Sequence, residues 1–174
     1  SFYPSKVLGA YGDAGAIVTN SDELNEKFRV LRYMGQEVKH VHQIIGFQQR
    51  LDPMQAAILS VKLRCLDRWN SKRRAIAEQY RELLHDLPIE LPAEAEWAAH
   101  VYYMYTIRTS QRDLLEAHLA QSGIGTQKIY ATPVPMQPCY RYLEYAESDI
   151  PVAVKYSNEL LCLPVFPELS EGEV

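Results

Sequence analysis

The longest continuous pattern in the sequence starts at Asp52-Pro53 and runs to about His85. Asp52 supplies an acidic cap, and Pro53 brings a φ already suited to the first helical position. Ile58, Val61, Cys65, Trp69, Ile76, Tyr80 and Leu83 then recur at helical spacing on one broad face. A helix of more than 30 residues far exceeds the usual length of about 11–12, so it bridges two lobes or bends. That organises the rest of the 174 residues. Residues 1–52 read as the end of a large domain, 53–87 as the connecting helix, and 88–174 as a small domain. Leu87-Pro88 and Leu91-Pro92 end the helix, because proline cannot continue it.

Shorter patterns fill both domains. Ala16-Ile17-Val18-Thr19 is β-branched and follows glycines, so it reads as a strand. Asn20 or Ser21 caps the next helix, Asn20 with Glu23 in capping-box spacing, and Leu24, Phe28, Leu31 and Met34 recur along it to Gly35. Val101 to Arg108 alternates and is aromatic-rich, a strand pattern. Ser110 with Asp113 three residues on starts a helix through Gln121, closed by Gly123. Gly125 to Tyr130 reads as a further strand. Pro133, Pro135 and Pro138 mark an irregular loop, and Pro151 opens a helix that carries Val154 and Leu160-Leu161. Ser170 to Val174 reads as the first turn of another helix, cut short. Together these predict an α/β protein: the end of a sheet-bearing domain, a long helix and a small α+β domain.

A hydrophobic content of 47% predicts a packed core. Eighteen Lys and Arg against 22 Asp and Glu leave a net charge of −4, which argues against nucleic acid as a partner. No apolar run approaches the roughly 20 residues of a membrane span, so no membrane partner is expected. Cys65, Cys139 and Cys162 are odd in number and lack CxxC spacing; they read as reduced thiols of a cytoplasmic protein. The five histidines are scattered apart from His40 and His42, and no metal site emerges. The basic run Arg68 with Lys72-Arg73-Arg74 reads as a solvated helix face. Tyr102, Tyr103 and Tyr105 read as core and sheet-face aromatics.

The remaining feature is Lys6. It follows Tyr3-Pro4-Ser5 and precedes Gly9, Gly12 and Gly15, which allow a tight return of the backbone. The stretch SFYPSKVLGAYGDAGAIVTN resembles the lysine segment of the DegT/StrS-type sugar-nucleotide aminotransferases. GFQQRLDPMQAAIL, GIGTQKIYATPVPMQPCY and PVAVKYSNELLCLPVFPELSEGEV resemble three further segments of that family, in the same order. Four ordered motifs are far more specific than one.

The resemblance implies a pyridoxal-5′-phosphate-dependent transferase of fold type I. Lys6 is implied as the residue that bonds to the cofactor aldehyde and then moves the proton as acid and base, which requires an amine free of its usual proton. Ser1 is implied on the cofactor phosphate. Gln48, where the family carries asparagine, is implied on the phosphate of a neighbouring subunit, hence a homodimer. Tyr130, Gln137 and His42 are implied near the substrate. That substrate is a nucleotide-linked keto-deoxysugar, aminated at C3 rather than C4, with glutamate as donor, in aminosugar, lipopolysaccharide or glycoside biosynthesis. Val7, Ala14, Tyr103, Pro135 and Val154 depart from the family pattern, the last three in the lobe implied to meet the sugar. The family's acidic and aromatic cofactor partners lie upstream of the lysine, so these 174 residues alone are expected to bind the cofactor weakly and not to turn over. The alternatives are a non-catalytic or regulatory member and a sugar dehydratase; the dehydratase branch carries histidine in place of Lys6.

Overall fold

In the computed structural model, which describes residues 1–170 and 172–174, the helical run from Pro53 is interrupted. It forms α2 (Pro53–Leu63) and α3 (Leu66–Leu84), separated at Arg64-Cys65. The Cys65 N–H bonds to the Lys62 carbonyl at 2.9 Å, three residues back instead of four, which tightens the turn and breaks the periodicity. Val61 and Leu83, expected on the apolar face, are exposed, whereas Leu59, Ile76, Ala77 and Tyr80 are buried. The chain divides into two compact units, residues 1–67 and 68–174.

In the first unit, α1 (Asp22–Arg32) is capped by the Ser21 hydroxyl, which accepts from the Leu24 N–H at 3.2 Å. Asp22 and Glu23 in its first turn and Arg29 and Arg32 in its last complement the helix dipole. A short antiparallel hairpin follows, β1 (Gln36–Val38) with β2 (Val41–His42). The chain then returns across the end of α1: Phe47 N–H donates to the Leu31 carbonyl at 2.6 Å and Gln49 N–H to the Arg32 carbonyl at 3.0 Å. These bonds satisfy carbonyls a helix end leaves open. Such an approach requires Gly46, where a Cβ would lie 2.2 Å from the Gly35 nitrogen. Ala16–Thr19 does not form a strand among the described residues, and Ile17 and Val18 are 74% and 92% exposed. Its side chains favour β structure, but a strand needs a neighbour to take its backbone hydrogen bonds.

The second unit is built on β3 (Tyr105–Arg108) and β4 (Leu160–Leu163), antiparallel in the register Tyr105↔Leu163 to Arg108↔Leu160. Leu160-Leu161 therefore belongs to a strand and not to the preceding helix α5 (Pro151–Glu159). Pairing with β3 turns Leu161 into the core, where it is fully buried. β3 is shorter than its sequence pattern because Tyr102 adopts a left-handed conformation, φ 44°. The strand expected over 125–130 is reduced to one bridge, Gln127 with Cys162. Past it, Lys128 is drawn to Asp113 and Glu116 at 3.0 and 2.5 Å. Those carboxylates lie on α4 (Arg112–Gln121), whose N-cap is Gln111 and not Ser110; Asp113 pairs with a cation instead of serving the helix start. The proline-rich loop folds into three short 3-10 turns, Val134–Met136, Pro138–Leu143 and Glu147–Asp149. The helical turn expected at Ser170–Val174 includes Glu171, which lies outside the described residues.

The core of this unit gathers Ile76, Ala77 and Tyr80 of α3, Tyr102, Tyr105, Ile107 and Leu161. The Tyr80 and Tyr105 rings meet with centroids 4.8 Å apart, and Tyr80 donates its hydroxyl to the Pro164 carbonyl at 3.0 Å. The basic run expected on a solvated face is split. Arg73 is buried and donates to the carbonyls of Tyr102 at 3.1 Å and Val165 at 2.7 Å. It is turned inward because α3 at this point packs against both flanks of the β3–β4 pair, whose carbonyls need a donor. Its neighbour Arg74 pairs with Glu94 at 2.6 Å, and Glu94 also accepts from the His100 N–H at 2.8 Å and the Tyr102 hydroxyl at 3.2 Å. The Arg74 hydrogen bond, followed by that from His100, holds the Glu94 carboxyl at about 2.

Two outcomes are expected. Leu161→Ala lowers the unfolding free energy by about 2–5 kcal/mol in urea denaturation, the usual cost of emptying a filled core site. Because the folded Glu94 pKa lies below its unfolded value, its contribution is complete above the ordinary carboxylate range and fades as pH falls toward about 2. Glu94→Gln therefore destabilises at neutral pH and flattens the acid limb of the stability–pH curve. An unchanged acid limb would sink that reading.

Candidate active site

Lys6 sits, half-buried, on a loop closed by its own backbone. The Lys6 N–H donates to the Tyr3 carbonyl at 2.8 Å, Phe2 N–H to the Ala14 carbonyl at 2.9 Å, and Ala10 N–H to the Phe2 carbonyl at 2.8 Å. At Gly9 a Cβ would come within 2.4 Å of the Pro4 carbonyl oxygen, so only glycine lets the chain fold back beneath Lys6. Two side chains of α2 fasten the loop. The Tyr11 N–H donates to Gln55 Oε1 at 2.8 Å, and Lys62 Nζ donates to the Gly9 carbonyl while lying 5.3 Å from the Tyr11 ring centroid. Gln55 and Lys62 were not singled out by sequence reasoning. Gln55 lies in the quoted MQAAIL segment, but nothing in the spacing links it to a loop 44 residues earlier.

Ser1 lies on the same loop, and its Oγ accepts from the Tyr3 N–H at 3.3 Å. A hydroxyl used in this way keeps its own proton to donate. His42 and Gln48 come together elsewhere in the first unit, on either side of Met34. His42 Nδ1 is 2.8 Å from the Met34 carbonyl, the Met34 N–H donates to the Phe47 carbonyl at 2.8 Å, and Gln48 bridges Tyr33. Both His42 and Gln48 are exposed. Tyr33 in turn lies under the Arg50 guanidinium, 5.4 Å from the ring centroid.

Tyr130 and Gln137 meet in the second unit. They border a hollow of about 350 Å³ whose other walls include Thr132, Pro133, Val134, Tyr156 and Leu160. Among the described residues no charged side chain lines it. Tyr156 forms part of the wall with its ring under Arg108, 4.9 Å from the centroid. Of the three tyrosines read as core or sheet-face aromatics, Tyr102 and Tyr105 are buried. Tyr103 lines a second hollow, of about 360 Å³, with Thr126, Gln127 and Cys162. Among the described residues no group of three or more His, Cys, Asp or Glu gathers as a metal site, and no helix is long and apolar enough to cross a membrane.

The donor set suits a phosphorylated aldehyde cofactor: a primary amine on a rigid, glycine-closed loop, with a proton-donating hydroxyl on the same loop. Similarity to known proteins agrees. A structure of Streptomyces venezuelae DesV in complex with a ketimine intermediate superimposes with a TM-score of 0.95 at 41% identity, covering 99% of this chain and 47% of that one. The α/β fold is thus that of the pyridoxal-phosphate-dependent sugar aminotransferases. The sequence profile of the DegT/DnrJ/EryC1/StrS aminotransferase family matches residues 1–174, and the chain belongs to that family. A pleiotropic regulatory protein of Geobacillus stearothermophilus is 48% identical over 99% of this chain and 47% of its own length. A dTDP-3-amino-3,4,6-trideoxy-α-D-glucose transaminase of S. venezuelae is 42% identical over 99% of this chain and 46% of its own length. The chain therefore spans about half the length of the curated relatives it matches.

Gly9→Ala forces the Pro4 carbonyl away from Lys6. The expected result is faster amide exchange at Lys6 and a stability loss of about 1–3 kcal/mol, typical of overpacking. Protection of the Lys6 amide at the unsubstituted level would show that the loop does not depend on this approach.

Proposed function

We propose that the protein transfers an amino group, with glutamate as donor, to a nucleotide-linked keto-deoxysugar, using pyridoxal phosphate held by Lys6. The observation that carries this is the Lys6 loop: a lysine on a turn only glycine can close, fastened by Gln55 and Lys62. The family membership and the relative named as a 3-amino sugar transaminase support the reaction class, and that name favours C3 over C4 as the aminated carbon. The protein acts as a cytoplasmic homodimer in this reading.

Each residue has a chemical part. Pyridoxal phosphate, when bound, supplies an electron sink for the pair left behind when a carbon beside the amine loses its proton. Lys6 Nζ would anchor the cofactor through its aldehyde carbon and, once displaced by the donor amine, would take the proton from the donor's α-carbon and deliver it to the former aldehyde carbon. The Ser1 hydroxyl donates to a phosphate oxygen. Gln48, exposed and bridged to Tyr33, offers its amide to the phosphate of a neighbouring subunit, and His42, also exposed, meets the substrate in this reading. Tyr130 and Gln137 present a hydroxyl and an amide to the sugar across an uncharged, largely apolar hollow.

A regulatory role is the second reading, favoured by the name of the Geobacillus relative at 48% identity. Borohydride separates the two. On the full-length protein incubated with pyridoxal phosphate, reduction fixes the lysine–cofactor bond, and peptide mapping should find the label on Lys6. Lys6→Ala should lose the label and lower amino transfer by about 10²–10⁴-fold, the usual share of a positioned acid–base group. Label at another lysine, or none, overturns the proposal.

A further inference from the structure

Both walls of the hollow bordered by Tyr130 and Gln137 hang from the first turn of α4. On one side, buried Arg112 donates from Nη1 to the carbonyls of Ser157 at 3.1 Å and Leu160 at 3.4 Å, and both residues line the hollow. On the other, Lys128, two residues before Tyr130, pairs with Asp113 at 3.0 Å and Glu116 at 2.5 Å. One carboxylate oxygen joins the two sides: Asp113 Oδ1 accepts from Arg112 Nε at 2.6 Å and from Lys128 Nζ at 3.0 Å. The walls also share an edge, since Gln127 exchanges backbone hydrogen bonds with Cys162 at 3.2 and 2.8 Å. Buried donors left unmet are costly, so the guanidinium of Arg112 needs every acceptor it has.

We propose that Asp113 is a positioning residue that sets the width of this hollow, and thereby helps decide which keto-deoxysugar fits. Asp113 itself is mostly exposed and acts only through the two cations it holds. The uncharged side chains that line the hollow among the described residues suit the hydroxyl and methyl groups of a deoxysugar ring, whereas a diphosphate calls for cations. This assignment rests on the reading of the hollow as the acceptor end of the site.

The test uses the full-length protein loaded with pyridoxal phosphate. Asp113→Asn should speed amide exchange at residues 128–134 and 156–160 together, by about fivefold, the upper range for a partly exposed ion pair. Lys128→Met should speed only the first segment, and Asp113→Glu should restore both. With dTDP-3-keto-6-deoxyglucose as acceptor probe, Asp113→Asn should raise the acceptor KM about fivefold. The spectral change on adding glutamate alone should stay as it was, which a general loss of structure would not allow. Exchange that rises at one wall only, or at neither, overturns the clamp. Tyr130→Ala with an unaltered acceptor KM, or no turnover of the probe by the unsubstituted protein, overturns the acceptor reading and the specificity role, while the exchange result still reports on the clamp.

Discussion

The ammonium of Lys62 against the Gly9 carbonyl is the contact on which the candidate chemistry depends. A lysine on a surface loop samples many rotamers and meets water; a catalytic one must be presented from a backbone that does not move. Here the loop's own hydrogen bonds make the turn, and α2 locks it through Gln55 and Lys62. Since Lys62 also faces the Tyr11 ring, charge and aromatic face reinforce one another at a single point.

The second unit uses buried arginines in a comparable way. Taking a guanidinium out of water is costly unless its donors are met. Arg73 and Arg112 each direct Nη1 to backbone carbonyls from segments distant in sequence, although Arg73 Nε is buried without a hydrogen-bond partner among the described residues. Arg73 ties α3 to both flanks of the β3–β4 pair, and burial holds it below its ordinary pKa. Arg112 ties α4 to the junction of α5 and β4. An arginine so used joins irregular backbone to regular elements, and the uncharged hollow lies in such irregular backbone.

Much of this was readable along the chain. Ser21, Pro53, Gly123 and Pro151 mark helix boundaries because their conformational preferences are local. The Lys6 segment and its three companions carried the family. The misreadings share a cause. Leu160-Leu161 has the pattern of a helix end until β3 claims it as a strand. Arg73 reads as solvent-facing because its acceptors lie 29 and 92 residues away. Asp113 stands at capping distance from Ser110, yet its carboxylate goes to Lys128, 15 residues on.

By itself the sequence determined which residue types stand where: the lysine among glycines, the helix starts and stops, the aromatic run before β3, and the family. These follow from preferences exerted over a few residues, and backbone sterics enforce them without help from the rest of the chain. Tertiary structure alone decided that α2 fastens the Lys6 loop, that one arginine of a basic run is buried while its neighbour pairs with Glu94, and that Asp113 joins two walls of a hollow. Each of those outcomes is a choice among partners distant in sequence. Only folding brings the competing donors and acceptors together and removes the water that would otherwise serve them equally.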